Sequence, residues 1–334
     1  MQLSDGFEGK LMPAGATAGA AVPTPLRGTA KYLPLRKALN RAAPYVFIAP
    51  AAIITTLALA YPMLQSVWLS FRDWSLGTPL GQSRFVGLAN YEWLLHDPNF
   101  WASAAVTLTF AFAVVVVEVL LGVMLAILLD RELRFVSLFR TIFILPMMVA
   151  PIVVGLVWRY MYNEQFGTFA HLLKALGFAP VPWLSSPKLA LISVIIADVW
   201  QWTPFIFILS LAALQSLPAS ALEAARIDGA THWQMVWHIK VPLMMPVIAV
   251  AALLRLIDAF KVLEVIYILT EGGPGLSTEI MSLHIYKTAF VSQQLGQAAA
   301  LSNMLLLIVL ALTVIFAALT AVRQRREKLA AARR

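Results

Sequence analysis

Apolar positions in this chain neither alternate nor recur on one helical stripe; they run on almost without interruption. Six such runs stand out, at residues 45–69, 103–129, 141–158, 189–213, 243–268 and 298–321. A helix rises about 1.5 Å per residue, so about 20 mostly apolar residues cross the hydrocarbon layer of a bilayer. Backbone inside that layer must satisfy its own hydrogen bonds, which makes each run a helix. Pro50, Pro62, Pro146, Pro151, Pro204 and Pro246 fall inside these runs and predict kinks rather than breaks, because neighbouring helices can re-satisfy the freed carbonyls. The expected fold class is all-α: a polytopic membrane protein with six transmembrane helices and no fixed-period repeat.

Composition agrees. Of 334 residues, 60% are hydrophobic and 13% are charged, about half the charged fraction of a soluble domain. The absence of cysteine excludes disulfide frameworks, Cys-ligated metal centres and thiol nucleophiles. The net charge of +8 is unevenly spread. Seventeen of the 25 Lys and Arg residues lie in the N-terminal segment, the second and fourth loops and the tail, and six lie in the opposite loops. Cytoplasmic loops carry that excess, so both termini are placed in the cytoplasm. The basic tail from Arg323 to Lys328 then reads as an anionic-lipid and topology anchor rather than a nucleic-acid patch. Residues 1–44 form a cytoplasmic extension, 45–322 a six-helix domain and 323–334 the tail. The first 30 residues, rich in Gly, Ala, Pro and Thr, are expected to be disordered. They carry no apolar core of a cleavable signal.

One cytoplasmic loop is unlike the others. In residues 216–242, Ser220 precedes Glu223 by three positions, the spacing of a capping box that satisfies two orphan amides at a helix start. The helix can run to Ile227, where Asp228-Gly229 supplies a turn tolerant of positive φ. Thr231 and Gln234 repeat the capping box for a second short helix with Trp233, Val236, Trp237 and Lys240 on one face. A packed connection is the plain reading. An exposed tryptophan face outside the membrane argues instead for a docking surface.

The residues of this loop also carry a resemblance. Glu223-Ala224-Ala225, then Gly229, Ile239 and Val241-Pro242 at their spacing, resemble the EAA motif of binding-protein-dependent ABC importer permeases. Val241 stands where that family usually has Leu. The stretches RIDGAT and LTEGGPGLSTEIMSLHIYKTAF resemble its carbohydrate branch, the maltose-type first permease, and the likeness spans residues 45–322. The resemblance implies a permease subunit of an ATP-driven importer for a sugar, oligosaccharide or polyol in the bacterial inner membrane. It further implies a second homologous permease, two ABC ATPase subunits and an extracytoplasmic solute-binding protein as partners. Glu223, Ala224, Ala225, Gly229, Trp233, Ile239 and Pro242 would form the ATPase-coupling contact. The chain holds no G-x-x-x-x-G-K-[ST] loop, so ATP and Mg belong to the ATPase and no cofactor is expected here.

Charges inside the membrane are costly and need a partner or a wet cavity. The fifth run holds Arg255, Asp258, Lys261 and Glu264, alternating in sign every third residue, which on one continuous helix is a neutralised ladder. Such a ladder could face a partner subunit or line a solute path. Asp198, followed by Trp200, Gln201 and Trp202, offers acceptors for hydroxyls and apolar faces for sugar C–H surfaces, or helix-to-helix hydrogen bonds. Glu118 and Asn303 read chiefly as interhelical bonding groups, with Glu118 also a path candidate. No catalytic constellation or metal spacing appears. There is no H-E-x-x-H, and His96, His171, His232, His238 and His284 share no ligand spacing on a span, so the chain is read as a non-catalytic subunit. The alternative is a secondary transporter or channel for a small polar solute, which would have no use for the cytoplasmic coupling segment.

Overall fold

A computed structural model of the chain describes residues 33–130 and 136–332. Residues 1–32, Arg131 to Phe135 and the last two arginines lie outside the described residues, and with them most of the expected N-terminal extension. The chain divides after Tyr61 into two units. The first holds the N-terminal part of helix α1 (Leu33–Ser70), whose residues from Tyr45 to Leu59 are largely exposed and apolar. The helix thus starts earlier than the apolar run that announced it.

The second unit opens with a small antiparallel hairpin, β1 (Arg72–Asp73) and β2 (Arg84–Phe85), in the register Arg72 to Phe85 and Asp73 to Arg84. The Asn90 amide donates to the carbonyls of Ser70 and Arg72, at 2.8 and 2.9 Å, and ties α2 (Ala89–His96) beneath it. Next comes α3 (Pro98–Leu129). Its start follows from Pro98 at the first helical position and from Asp97, whose carboxylate accepts from the Asn99 amide at 3.0 Å.

The third apolar run departs from expectation. It forms two helices, α4 (Val136–Ile144) and α5 (Pro151–Met161), joined by a 3₁₀ turn at Leu145–Met148 and bent by 97°. The cause is local. Pro146 and Pro151 each lack an amide donor, and Val149 and Ala150 before Pro151 are extended, with ψ of 133° and 136°. The freed carbonyl of Val149 accepts from Gln201 Nε2 at 3.0 Å, so the break is satisfied from another helix.

Helix α6 (Thr168–Ala175) lies in the following loop, and α7 (Pro187–Gln215) runs through Pro204 without interruption. Helices α3 and α7 make the most extensive helix pair. They approach at Gly122, where an added Cβ would stand 2.8 Å from Ile206 Cβ. The elbow at residues 216–242 holds α8 (Ala219–Ile227) and α9 (His232–Met235), which continues through a π-helical turn at Val236–Lys240 into α10 (Val241–Ala259). The turn follows from Pro242, which cannot donate to the carbonyl four residues back; the Val241 amide reaches Val236 O instead.

The fifth run is also two helices. After α10 the chain breaks, and α11 (Glu264–Thr270) resumes beyond Leu263, whose φ is −132°. The Ser282 hydroxyl donates to the Val262 carbonyl freed by the break. Helix α12 (Met281–Tyr286), a π-helical turn at Lys287–Val291 and α13 (Leu295–Ala332) complete the chain. Among the described residues, five helices are long and apolar enough to cross a membrane, or six if the bent α4–α5 pair counts as one span. Strands are confined to the two-residue hairpin, as an all-α reading requires. Asn303 of α13 accepts from Ser66 Oγ at 3.2 Å and donates to Tyr91 Oη at 3.4 Å, the interhelical role expected of it.

Candidate functional site

The buried acids of α3 and α7 converge on Arg255 of α10. Its Nε lies 2.8 Å from Glu118 Oε2, its Nη2 pairs with Asp198 Oδ2, and its Nη1 donates to Asp258 Oδ2 at 3.3 Å. Arg255, Glu118 and Asp198 are all essentially inaccessible, whereas Asp258 is 38% exposed. The face of Trp202 lies 5.3 Å from the guanidinium. Two fully buried carboxylates share one cation, and the pairing offsets the several kcal/mol that each buried charge would otherwise cost.

The four-residue ladder is therefore replaced by a three-helix cluster. Arg255–Asp258 and Lys261–Asp258 (3.6 Å) remain, but Glu264 lies beyond the break, at the start of α11. Spacing of three is meaningful only along an unbroken helix, and the break at residues 260–263 removes that condition. The ladder's principal cation turns instead to acids on other helices, and Glu118 takes the interhelical role.

Beside this cluster is a cavity of about 200 Å³ lined by Asp198, Gln201, Trp202, Asp258, Lys261 and Glu264, together with apolar residues. Asp198 Oδ1 and Gln201 Oε1 are buried without a hydrogen-bond partner among the described residues. Three of the six sequence-level path candidates thus line one cavity: Asp198, Gln201 and Asp258. The other three do not. Arg255 and Glu118 lie behind the wall as its support, and Trp200 faces away. At 100° per residue, Gln201 and Trp202 share the side of α7 that carries Asp198, while Trp200 points to the opposite side. There Trp200 meets Trp158 edge-on at 5.8 Å and lines a larger, almost wholly apolar cavity of about 660 Å³ with α3 and α4. Trp202, Lys261 and Glu264 take the lining places.

The elbow is built by two local rules. At the end of α8, Ala230 N–H donates to Ala225 O at 2.9 Å and Gly229 N–H to Arg226 O at 3.1 Å, with Gly229 at φ +77°. That is a Schellman closure, and it requires the left-handed residue that glycine supplies without strain. At the start of α9, Thr231 Oγ1 accepts from the Gln234 amide (3.3 Å) and Gln234 Oε1 from the Thr231 amide (2.7 Å), the capping box the sequence announced. The first expected box, Ser220 with Glu223, is absent. Pro218 caps the helix without a side-chain bond, so α8 begins at Ala219 and Ser220 is already inside its first turn.

Glu223, Ala224 and Gly229 are exposed, Ala225 is buried, Ile227 is 86% exposed, Ile239 is half-buried and Pro242 exposed. Trp233 and Trp237 are 65% and 61% exposed and face α3. There they wall an apolar groove of about 520 Å³ with Leu120, Met124 and Leu128 of α3. Lys240, three residues after Trp237, turns its Nζ to within 2.6 Å of Asp130 Oδ2 at the end of α3 and anchors the elbow to the bundle. Asp130 is the first acid after the longest apolar run, but nothing in local spacing pairs it with Lys240.

A second polar cluster on the opposite side had no signal of its own in the sequence. Buried Glu279 accepts from Lys287 Nζ at 2.5 Å and from His284 Nδ1 at 3.0 Å, while His284 Nε2 lies 3.6 Å from Asp97, the cap of α3. Burial pushes the Glu279 carboxyl up, but the hydrogen bonds from His284 and Lys287 outweigh it and hold the group below its ordinary value. This cluster clamps the segment after Gly272 to the start of α3.

A multi-pass helical bundle with a buried ion cluster beside a small polar cavity, and an elbow built to project from one face, defines a membrane-embedded transport subunit. The chain belongs to the family of binding-protein-dependent transport system inner membrane components, whose model matches residues 118–328. It is an ABC importer permease. It is 38% identical over 81% of its length, and 91% of the relative's, to the trehalose/maltose transport system permease protein MalF of Thermococcus litoralis. To the sn-glycerol-3-phosphate transport system permease protein UgpA of Brucella suis it is 35% identical, over 82% of this chain and 93% of that one. Its fold is that of a chain from the crystal structure of a bacterial ABC transporter involved in the import of the acidic polysaccharide alginate. The TM-score is 0.75 at 22% identity, over 86% of this chain and 98% of that chain.

Proposed function

We propose that this chain is one of two membrane subunits of an ATP-driven importer for a sugar, oligosaccharide or polyol in the bacterial inner membrane. A second homologous permease completes the pore, two ABC ATPase subunits bind its cytoplasmic face, and an extracytoplasmic binding protein delivers the solute. ATP and Mg are held by the ATPase, and this subunit makes or breaks no bond in the solute. The observation that carries the reading is the elbow at residues 216–242. Its exposed Glu223 and Ala224 stand on α8, which a Schellman turn closes at exposed Gly229, a lever through which closure of the ATPases can rock the helices between two states. Asp198, Gln201 and Asp258 offer acceptors to solute hydroxyls along the path. The relatives named for trehalose/maltose and glycerol-3-phosphate transport support a polyhydroxylated solute.

The test is uptake of labelled solute by vesicles holding both permeases, the ATPase and the binding protein. ATP-dependent uptake that also requires the binding protein is the expected result. Uptake by this chain alone, driven by an ion gradient and indifferent to ATP, would establish a secondary transporter instead.

A further inference from the structure

Beyond the acidic cavity, α11, α12 and the π-helical turn after α12 present three aromatic rings in succession. Tyr267 and Tyr286 meet edge to face with centroids 5.3 Å apart, and Tyr286 and Phe290 follow at 5.3 Å. Tyr267 and Phe290 are 40% and 59% exposed, so ring faces remain open. A cavity of about 170 Å³ lies against Tyr267, Tyr286 and Glu264. Glu264 also lines the acidic cavity, and the adjacent residues Pro151 and Ile152 line the acidic and the aromatic cavity respectively. The two spaces are therefore neighbours along α11, with the aromatic one nearer the extracytoplasmic turn at Gly272.

An exposed aromatic series on a membrane protein could simply meet lipid or a partner helix. Two features favour a polar, ring-shaped occupant. The carboxylate of exposed Glu264 stands at the rim, an acceptor that a lipid chain would leave unpaired. The tyrosines also carry polar tips on flat apolar bodies, suited to a ligand that is apolar on its faces and hydroxylated at its edge. The cavity is well below the roughly 300–1,000 Å³ of a pocket that encloses a whole ligand, so it suits one ring rather than a chain.

We propose that Glu264, Tyr267, Tyr286 and Phe290 form a subsite for one pyranose ring of the solute, on the extracytoplasmic approach to the Asp198–Gln201 cavity. The assignment rests on the carbohydrate-importer reading above. The aromatic faces take the C–H surface of the ring and Glu264 accepts from its hydroxyls. The ring is thereby held after release from the binding protein and before it enters the acidic cavity.

The chain has no cysteine, so Phe290→Cys introduces a unique thiol. In the complete transporter, with cysteine-free partners in proteoliposomes, its labelling by a membrane-impermeant thiol reagent is followed with and without the sugar imported from a panel of trehalose, maltose, sucrose and maltotriose. The subsite predicts labelling slowed by that sugar, and a KM for uptake raised about fivefold in Tyr267→Leu and by less in Tyr267→Phe, which keeps the ring face and loses only the polar tip. Labelling that is slow with or without sugar would mean a partner subunit covers the rings, and would overturn the subsite. Fast labelling insensitive to sugar, with normal KM in Tyr267→Leu, would overturn it equally while leaving the importer intact. Failure to import any sugar in the panel, with ATP and binding protein present, would remove the carbohydrate reading and the subsite together.

Discussion

Arg255 on α10 and Glu118 on α3 lie 2.8 Å apart, both sealed from solvent, with Asp198 of α7 on the guanidinium's other arm. One cation thus fastens three helices, and its removal would leave two carboxylates unpaired in a low-dielectric core. Arg255→Met is expected to cost about 3–5 kcal/mol and to lower the amount of extractable, folded transporter sharply. Adding Glu118→Gln and Asp198→Asn to the same chain should recover most of that loss, because no buried charge then lacks a partner. Thermal melting of the detergent-solubilised assembly measures both. A single variant as stable as the parent would show that the cluster is not structural.

Asp258 behaves differently. It is 38% exposed at the cavity edge, and Arg255 retains Glu118 and Asp198 without it. Asp258→Asn should therefore assemble normally and change the solute KM instead. Impaired pairing with the second permease would restore the structural reading of this residue.

Gly229 lies at φ +77° with open space where a Cβ would be. A leucine there meets no clash but about 1–2 kcal/mol of backbone strain, which tends to reshape the turn. Gly229→Leu is expected to leave assembly largely intact while separating ATP hydrolysis from uptake, and Gly229→Asn, which tolerates that φ, should retain coupling. Parallel ATPase and uptake assays decide the matter; normal transport by the leucine variant would count against the coupling role.

Gly122 is constrained by contact rather than by φ. A Cβ there would lie 2.8 Å from Ile206 Cβ and 2.9 Å from the Phe207 backbone nitrogen. Gly122→Ala should destabilise the α3–α7 pair by about 1–3 kcal/mol, read as a lower melting temperature. Ile206→Ala should not rescue it, since the Cβ and the backbone both remain.

The Glu279 clamp gives a pH dependence with a defined sign. Its carboxyl is held below its ordinary 4.5 in the folded protein. The clamp's contribution is therefore fully present above that value and is lost as pH falls through the lower folded value. Hydrogen exchange of residues 271–294 should rise on acidification below about pH 4.5, and Glu279→Gln should abolish that change. Exchange that stays pH-independent in the parent would show that the clamp does not hold this segment.

The membrane class, the number of long apolar runs and the elbow's Gly229 turn and second capping box were legible because each depends on neighbouring residues alone. Hydrocarbon length fixes a run of about 20 residues, and a Schellman turn is closed within six. Where prediction failed, a local rule competed with something distant or with a second local signal. Pro146 and Pro151 break the third run rather than kink it, because Gln201 on another helix satisfies the freed Val149 carbonyl. The fifth run breaks where Ser282 can do the same for Val262. Ser220 lost its capping role to Pro218, two residues earlier.

Sequence alone therefore determined that this chain lies in a membrane as helices and that residues 216–242 turn through an elbow between two short helices. The periodicity of α7 even separates Trp200 from Asp198, although chain proximity had grouped them. Only the tertiary structure decided which acids Arg255 neutralises, that Trp200 leaves the polar cavity while Trp202 and Glu264 join it, and that Glu279 clamps the external segment. A buried ion must find its counter-charge within a few ångströms, and across three helices that distance is set by packing, not by spacing along the chain.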